Sequence, residues 1–315
     1  MTFWQGLFSA IAAIALFLFS LQSFSLELQT AGGDKLRTWL ARVTAGRWQG
    51  LLAGAGATAL VQSSSAVTAL AVALVDAGVI TFKASLGILL GANIGTTTTA
   101  WLVSFKLTDI GPYFIIAGAL ISILPFRFSF LGKSVFYFGL IFFALNLVSN
   151  HLKPLSYSSV FQEWLARAEA PWLGVLIGLA FTALVQSSSV TAGLAILMVQ
   201  QGLLPAVAAI PIVIGSNIGT TSTGLIASLG MKPVARATAA ANLLFNAAGV
   251  LIYFPFLRPF SRLMVNQFGA GSMSVAWAHL IFNLTIGIAF TLLLNKIEPW
   301  LSARFQLTTE LAKAQ

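Results

Sequence analysis

Cysteine is absent from the 315 residues and histidine occurs twice. The first absence removes disulfides, thiolate metal sites and cysteine nucleophiles together. Acidic side chains are scarce as well, 8 Asp and Glu against 17 Lys and Arg, and charged residues make up 8% of the chain. With 58% apolar residues and a mean hydropathy of +0.91, the chain cannot cover a water-facing surface with polar groups. Also missing is the alternating polarity of barrel strands. Ile11 to Leu21 and Phe138 to Leu147 carry apolar residues on every face. An all-α, polytopic integral membrane protein is therefore expected. Apolar stretches near 8–26, 112–126, 134–150, 237–257 and 276–295 approach the ~20 residues that a spanning helix needs. No Lys or Arg precedes the first stretch and no small-x-small site closes it, so it reads as a retained helix rather than a signal peptide. The net charge of +9 is scattered over loops, which points to membrane topology and not to nucleic acid.

What the chain does contain is a duplication. Thr58 to Thr99 and Thr182 to Thr223 align 124 positions apart without a gap, with 21 of 42 residues identical. Many of the identities are polar residues in apolar surroundings. Gln62-Ser63-Ser64-Ser65 matches Gln186-Ser187-Ser188-Ser189, and Asn93-Ile94-Gly95-Thr96-Thr97 with Thr99 matches Asn217-Ile218-Gly219-Thr220-Thr221 with Thr223. Weaker matches at the same spacing pair Trp48 with Trp172 and Gly50 with Gly174. We divide the chain into a first repeat, 1–133, and a second, 134–315. The first holds an outer helix, a re-entrant hairpin over 48–77, a broken helix over 84–106 and a helix over 112–126. The second holds an outer helix, a hairpin over 172–201, a broken helix over 205–230, helices over 237–257 and 276–295, and a short tail resting at the interface. The hairpins are expected because each apolar run is too short to span and meets the Gln-Ser-Ser-Ser knot. The breaks are expected at Gly91 to Gly95 and its counterpart.

Distributing Lys and Arg over this scheme puts 12 inside and 5 outside when the C-terminus is cytoplasmic. The second repeat then enters from the face opposite to the first, an inverted-topology arrangement used by many secondary transporters. Two Phe-Asn pairs, Phe245-Asn246 and Phe282-Asn283, sit in mid-helix, where Asn commonly bridges neighbouring helices. Asp76, with Gln200 as its counterpart, reads as interfacial. His151 and His279 read as structural, since neither has a triad partner for a serine hydrolase; the chain is not expected to be an enzyme.

Between Trp48 and Val75, Ala84 and Phe105, Trp172 and Gly202, and Leu203 and Met231 there is no charged residue and no histidine. A site built there has neutral oxygens alone. Sodium is served by roughly five or six hydroxyl, amide and carbonyl oxygens, whereas calcium and magnesium favour carboxylates and zinc His or Cys. Restarting helices beside serines also suit an anion. Burying an anion alone costs tens of kcal/mol in the Born limit, while a membrane potential returns ~2.3 kcal/mol per charge per 100 mV. A neutral site with no fixed cation thus suggests coupled movement of sodium and an anion.

The doubled Gln-Ser-Ser-Ser and Gly-(Ala/Ser)-Asn-Ile-Gly-Thr-Thr motifs resemble those of the type II sodium-dependent phosphate cotransporter family, over roughly residues 11–295. The resemblance implies two hairpins meeting at mid-membrane around inorganic phosphate, with sodium as co-substrate and no further cofactor. It implies that Ser63, Ser64, Ser187 and Ser188 hold phosphate, and that Gln186, Ser189, Thr220 and Thr223 ligate sodium. Gln62, Ser65, Asn93, Thr96, Thr97, Thr99 and Asn217 are the symmetric candidates. Electrogenic animal members carry an intramembrane Asp where Tyr113 to Leu124 has no carboxylate, which implies an electroneutral stoichiometry with fewer sodium ions here. The expected protein is a multi-pass cytoplasmic-membrane symporter embedded in the lipid bilayer, importing phosphate on the sodium gradient, with its oligomeric state open and a homodimer one option. The alternatives are a sodium-coupled carrier of an amino acid or sulfate and, from another class, a channel.

Overall fold

A computed structural model describes residues 3–43, 46–105, 110–124, 129–152 and 170–307. Lys106, Arg127, Lys153, Arg167 and Lys313, which entered the topology count, lie outside these ranges, as do 125–126 and the end of the tail. Among the described residues there are helices and no strands. The first half consists of α1 (Phe3–Val43), α2 (Arg47–Val61), α3 (Ser64–Asp76), α4 (Phe82–Ser104) and α5 (Gly111–Ser122). The second consists of α6 (Ser129–Leu152), α7 (Pro171–Val185), α8 (Ser188–Gln200), α9 (Ala206–Ala227), α10 (Pro233–Tyr253), α11 (Leu257–Phe268) and α12 (Ser272–Arg304). Among the described residues, six segments are long and apolar enough to cross a membrane: 8–33, 82–104, 131–151, 206–227, 233–268 and 272–304. The helix expected over 112–126 is shorter, with 12 residues in α5.

The duplication is visible in the local backbone. Both α2 and α7 end on a glutamine in the left-handed region, Gln62 and Gln186, each at φ 57° and ψ 27°. The next residue returns to extended backbone and caps the following helix: Ser63 Oγ accepts from the Ala66 amide and Ser187 Oγ from the Val190 amide. Ser at an N-cap satisfies one of the free amides of a first turn. A two-residue reversal is thus written in Gln-Ser, and α3 and α8 start within it.

The expected interruptions at Gly91 to Gly95 and Gly215 to Gly219 are absent. Phe82–Ser104 and Ala206–Ala227 are each one continuous helix, the second even accommodating Pro211. The glycines serve close packing instead. A Cβ on Gly91 would run into the Leu51 carbonyl of α2, and one on Gly215 into the Val175 carbonyl of α7. Without the Cβ, α4 lies against α2 and α9 against α7 at backbone contact, as small residues allow between membrane helices. The polar side chains after the glycines do not unwind the helix, because their hydroxyls bond back to it: Thr96 to the Ala92 carbonyl, Thr97 to Ile94, Thr98 to Gly95, Thr221 to Ile218 and Ser222 to Gly219.

Around this pair of cores α1 packs along α6 and against α2, while α5 packs along α6. One apolar cluster joins Phe17 of α1, Phe142 and Leu145 of α6, Ile196 and Leu197 of α8, and Ile210 and Ile214 of α9. A second joins Leu40, Ala53, Val67, Val72 and Ile88 in the first half. Polar ties also cross between elements, among them Asn93 Nδ2 donating to Asn246 Oδ1 at 3.0 Å, Gln200 Nε2 to the Val103 carbonyl at 3.0 Å, and the Lys232 amide to Asp76 Oδ1 at 2.8 Å. The first accords with a bridging role for the Phe-Asn pair. A helix not expected from the sequence, α11, follows the Phe-Pro-Phe turn at 254–256 and buries Leu257, Ser261 and Met264 while exposing Arg258 and Arg262.

Candidate functional site

The two Gln-Ser reversals meet. Ser65 Oγ donates to the Gln186 carbonyl at 3.3 Å, and the hydroxyls of Thr99 of α4 and Ser189 of α8 lie within hydrogen-bond distance of each other, at 3.3 Å. Between them lies a cavity of about 410 Å³, lined by Gln62, Ser63, Ser64 and Ser65 from one half, Gln186, Ser187, Ser188, Ser189 and Thr223 from the other, and one face of α1. That volume falls within the ~300–1,000 Å³ common for small-molecule sites. Among the described residues no charged side chain lines it.

The backbone supplies the charge that the side chains lack. Each reversal places the carbonyl end of one helix and the amide end of the next within two residues, so negative and positive dipole ends lie side by side. The amide ends of α3 and α8 both start at the cavity, each bearing a buried serine, Ser64 and Ser188. Two such ends with serine hydroxyls form a donor-rich cradle for an oxyanion. The carbonyl ends of α2 and α7 lie at the same place and favour a cation.

Nine of the fifteen residues singled out from the sequence line the cavity. Of the other six, Thr99 is bonded to Gln62 Oε1 and Ser189 Oγ. Thr96 and Thr97 bond to carbonyls of their own helix, and Asn93 is bound to Asn246. Thr220 and Asn217 are buried about one and two turns along α9 from Thr223, and all three carry a buried polar atom with no protein partner: Asn217 Nδ2, Thr220 Oγ1 and Thr223 Oγ1. Those two hydroxyls are free to face a ligand; the Thr96 and Thr97 hydroxyls are not.

Sequence reasoning missed the third wall. Gln22, Ser25 and Gln29 of α1 face the cavity, with Gln29 Nε2 donating to Ser25 Oγ at 2.9 Å and Ser25 Oγ to the Val61 carbonyl at 3.0 Å. Their spacing of three and four residues places them on one helical face. That spacing is the available signal, and it was hidden because α1 runs well past residue 26 to Val43.

Apolar helices of spanning length around one polar cavity built from both copies of the motif fit a multi-pass membrane protein. Sequence comparison agrees and is more specific. The model of the Na+/Pi-cotransporter family matches twice, over residues 16–150 and 146–277, and the chain belongs to that family. It is 32% identical over 241 residues to "Uncharacterized protein YqeW" of Bacillus subtilis, covering 76% of this chain and 78% of that one. It is 29% identical over 277 residues to "Putative inorganic phosphate export protein YjbB" of Salmonella typhimurium, covering 87% of this chain; the chain spans about half, 51%, of that relative's length. Human "Sodium-dependent phosphate transport protein 2B" is 33% identical over 111 residues, 34% of this chain and 16% of its own. No solved structure matches the chain.

Proposed function

We propose that the protein is a secondary active carrier that moves inorganic phosphate together with sodium by alternating access across the cytoplasmic membrane. The observation that carries this reading is the meeting of two serine-bearing helix starts in one uncharged cavity. Ser63, Ser64, Ser187 and Ser188 hold the phosphate oxygens; Gln186, Ser189, Thr220 and Thr223 hold sodium beside it. A helix start is worth up to ~2 kcal/mol to a partly buried anion. Each charge-assisted hydrogen bond adds ~1.5–3 kcal/mol. These donors offset a desolvation cost of several kcal/mol for a singly charged ion, but that cost scales with the square of the charge, about fourfold for a doubly charged anion, and there they leave a deficit. A co-bound cation at 4 Å contributes ~4 kcal/mol per charge pair at an effective dielectric of 20. Coupling to sodium follows from that sum. The continuity of α4 and α9 restricts sodium's ligands largely to side chains and the carbonyl ends of α2 and α7.

In this reading α2–α3 and α7–α8 are re-entrant hairpins inserted from opposite faces, and the C-terminus is cytoplasmic. The deciding experiment is uptake of labelled phosphate into proteoliposomes under an inward sodium gradient, with potassium or choline replacing sodium. Sodium-dependent accumulation is expected; equal uptake in all three salts contradicts the coupling. Unlabelled sulfate or amino acids should not compete. Direction has a second reading, because the relative matched over 87% of this chain is named for phosphate export. Efflux from phosphate-loaded vesicles under imposed gradients of either orientation separates the two, inward coupling predicting faster flux whenever sodium and phosphate run the same way. A phosphate jump on sodium-loaded vesicles should give no current if transport is electroneutral.

A further inference from the structure

α10 and α12 carry a second, shorter duplication that the 124-residue repeat does not cover. Ala241-Asn242-Leu243-Leu244-Phe245-Asn246 aligns with Ala278-His279-Leu280-Ile281-Phe282-Asn283, 37 positions on. The structure gives the two segments equivalent partners: α10 packs on α4, and α12 packs on α9, the counterpart of α4. Where the first pairing has a buried hydrogen bond between Ser85 and Thr238, at 3.0 Å, the second has Ala209 and Val275 at the same offsets, both buried in the apolar core. Both members of the second pair are apolar where both members of the first are polar.

Two helical turns further on, the first pairing holds a complete polar chain. Asn93 Nδ2 donates to Asn246 Oδ1, and Asn246 Nδ2 donates to the carbonyl and to Oδ1 of Asn242. The second pairing has the same residues except that His279 stands for Asn242. Of the equivalent bonds, the one from Asn283 Nδ2 to the His279 carbonyl is made, at 2.9 Å. Asn217 Nδ2 and both ring nitrogens of His279 have no protein partner, although His279 is fully buried and Asn217 is 3% exposed. Thr220 Oγ1, one turn from Asn217 on α9, is in the same condition.

We propose that Asn217, Thr220, Asn283 and His279 form a buried water site that continues the serine cavity along α9 and ends at His279. Water fits the donor set: it accepts from the Asn217 amide and the Thr220 hydroxyl and donates to the unprotonated nitrogen of a neutral imidazole, about three bonds, as buried waters make. A cation does not fit the donor end of Asn217. By accepting the Thr220 proton, the water turns that oxygen's lone pairs toward the cavity. His279 is then a positioning residue for Thr220, and Asn217 leaves the set of direct sodium ligands. This last step rests on the sodium reading above; the water site itself does not.

The two are tested separately. With His151→Gln removing the other histidine, a histidine-labelled sample in nanodiscs shows one imidazole. The expected result is magnetisation transfer from water to the His279 ring and a shifted ring resonance in Asn217→Leu; absence of either overturns the water site. Thermal stabilisation by sodium tests the consequence. His279→Asn, which restores the residue found at 242, should keep the half-effective sodium concentration within about twofold, and His279→Leu should raise it about three- to tenfold, the loss of one hydrogen bond. An unchanged value in folded His279→Leu overturns the positioning role. A wild-type protein that sodium does not stabilise would instead refute the sodium reading, leaving the ring spectrum to decide the water site.

Discussion

Gln62 and Gln186 have the same backbone angles, the same neighbours in sequence and opposite fates. Gln62 is buried, at 9% exposure; its Nε2 donates to Thr98 Oγ1 at 2.9 Å and its Oε1 accepts from Thr99. Gln186 is exposed to the cavity, and Thr223, the counterpart of Thr99, has an unpartnered hydroxyl. The first glutamine is tied to threonines of its own half, and the second is open to a ligand. Sequence symmetry therefore does not confer equal roles, and the half with unpartnered oxygens is the one assigned to sodium.

Three comparisons between the halves put this to work. The largest effect is expected where the halves act alike: Ser64→Ala and Ser188→Ala each remove a donor at a helix start, and labelled phosphate uptake should fall by about 10- to 150-fold, corresponding to ~1.5–3 kcal/mol. A fall in one variant alone would mean that a single half holds phosphate. Next, Gln186→Ala should raise the sodium concentration for half-maximal transport by about tenfold with little change in melting temperature, as loss of one ligand to an ion implies. Gln62→Ala should do the reverse, lowering stability by ~1–3 kcal/mol because Thr98 and Thr99 lose a buried partner. Reversed outcomes would exchange the roles of the two halves. The smallest difference concerns Thr58 and Thr182. Thr182 shares a hydrogen bond with Thr191, whereas Thr58 Oγ1 has none because Val67 stands at the position of Thr191. Thr182→Val should cost ~1 kcal/mol in thermal unfolding and Thr58→Val should be neutral or stabilising.

How much was readable beforehand follows the same line. The membrane class, the duplication and the position of both reversals were legible, because composition, identity at fixed spacing and a Gln-Ser step after a short apolar run each have one physical meaning. The continuity of α4 and α9 was not, since glycines that break a helix and glycines that let another backbone approach look the same until the partner is known. Nor was the contrast between the glutamines, as Thr98 and Ser222 both offer a hydroxyl and both bond to their own helix. The α1 wall escaped because Gln22, Ser25 and Gln29 belong to no repeated motif.

In the proposed function, an uncharged cavity made by both halves takes phosphate together with sodium. Equilibrium binding of labelled phosphate to the detergent-purified chain, in sodium and in choline, tests it without a membrane or a gradient. Saturable binding in sodium, at least about tenfold weaker in choline and weakened likewise by either Ser64→Ala or Ser188→Ala, is the predicted result. Binding of equal strength in both salts, or indifferent to either serine, would contradict it.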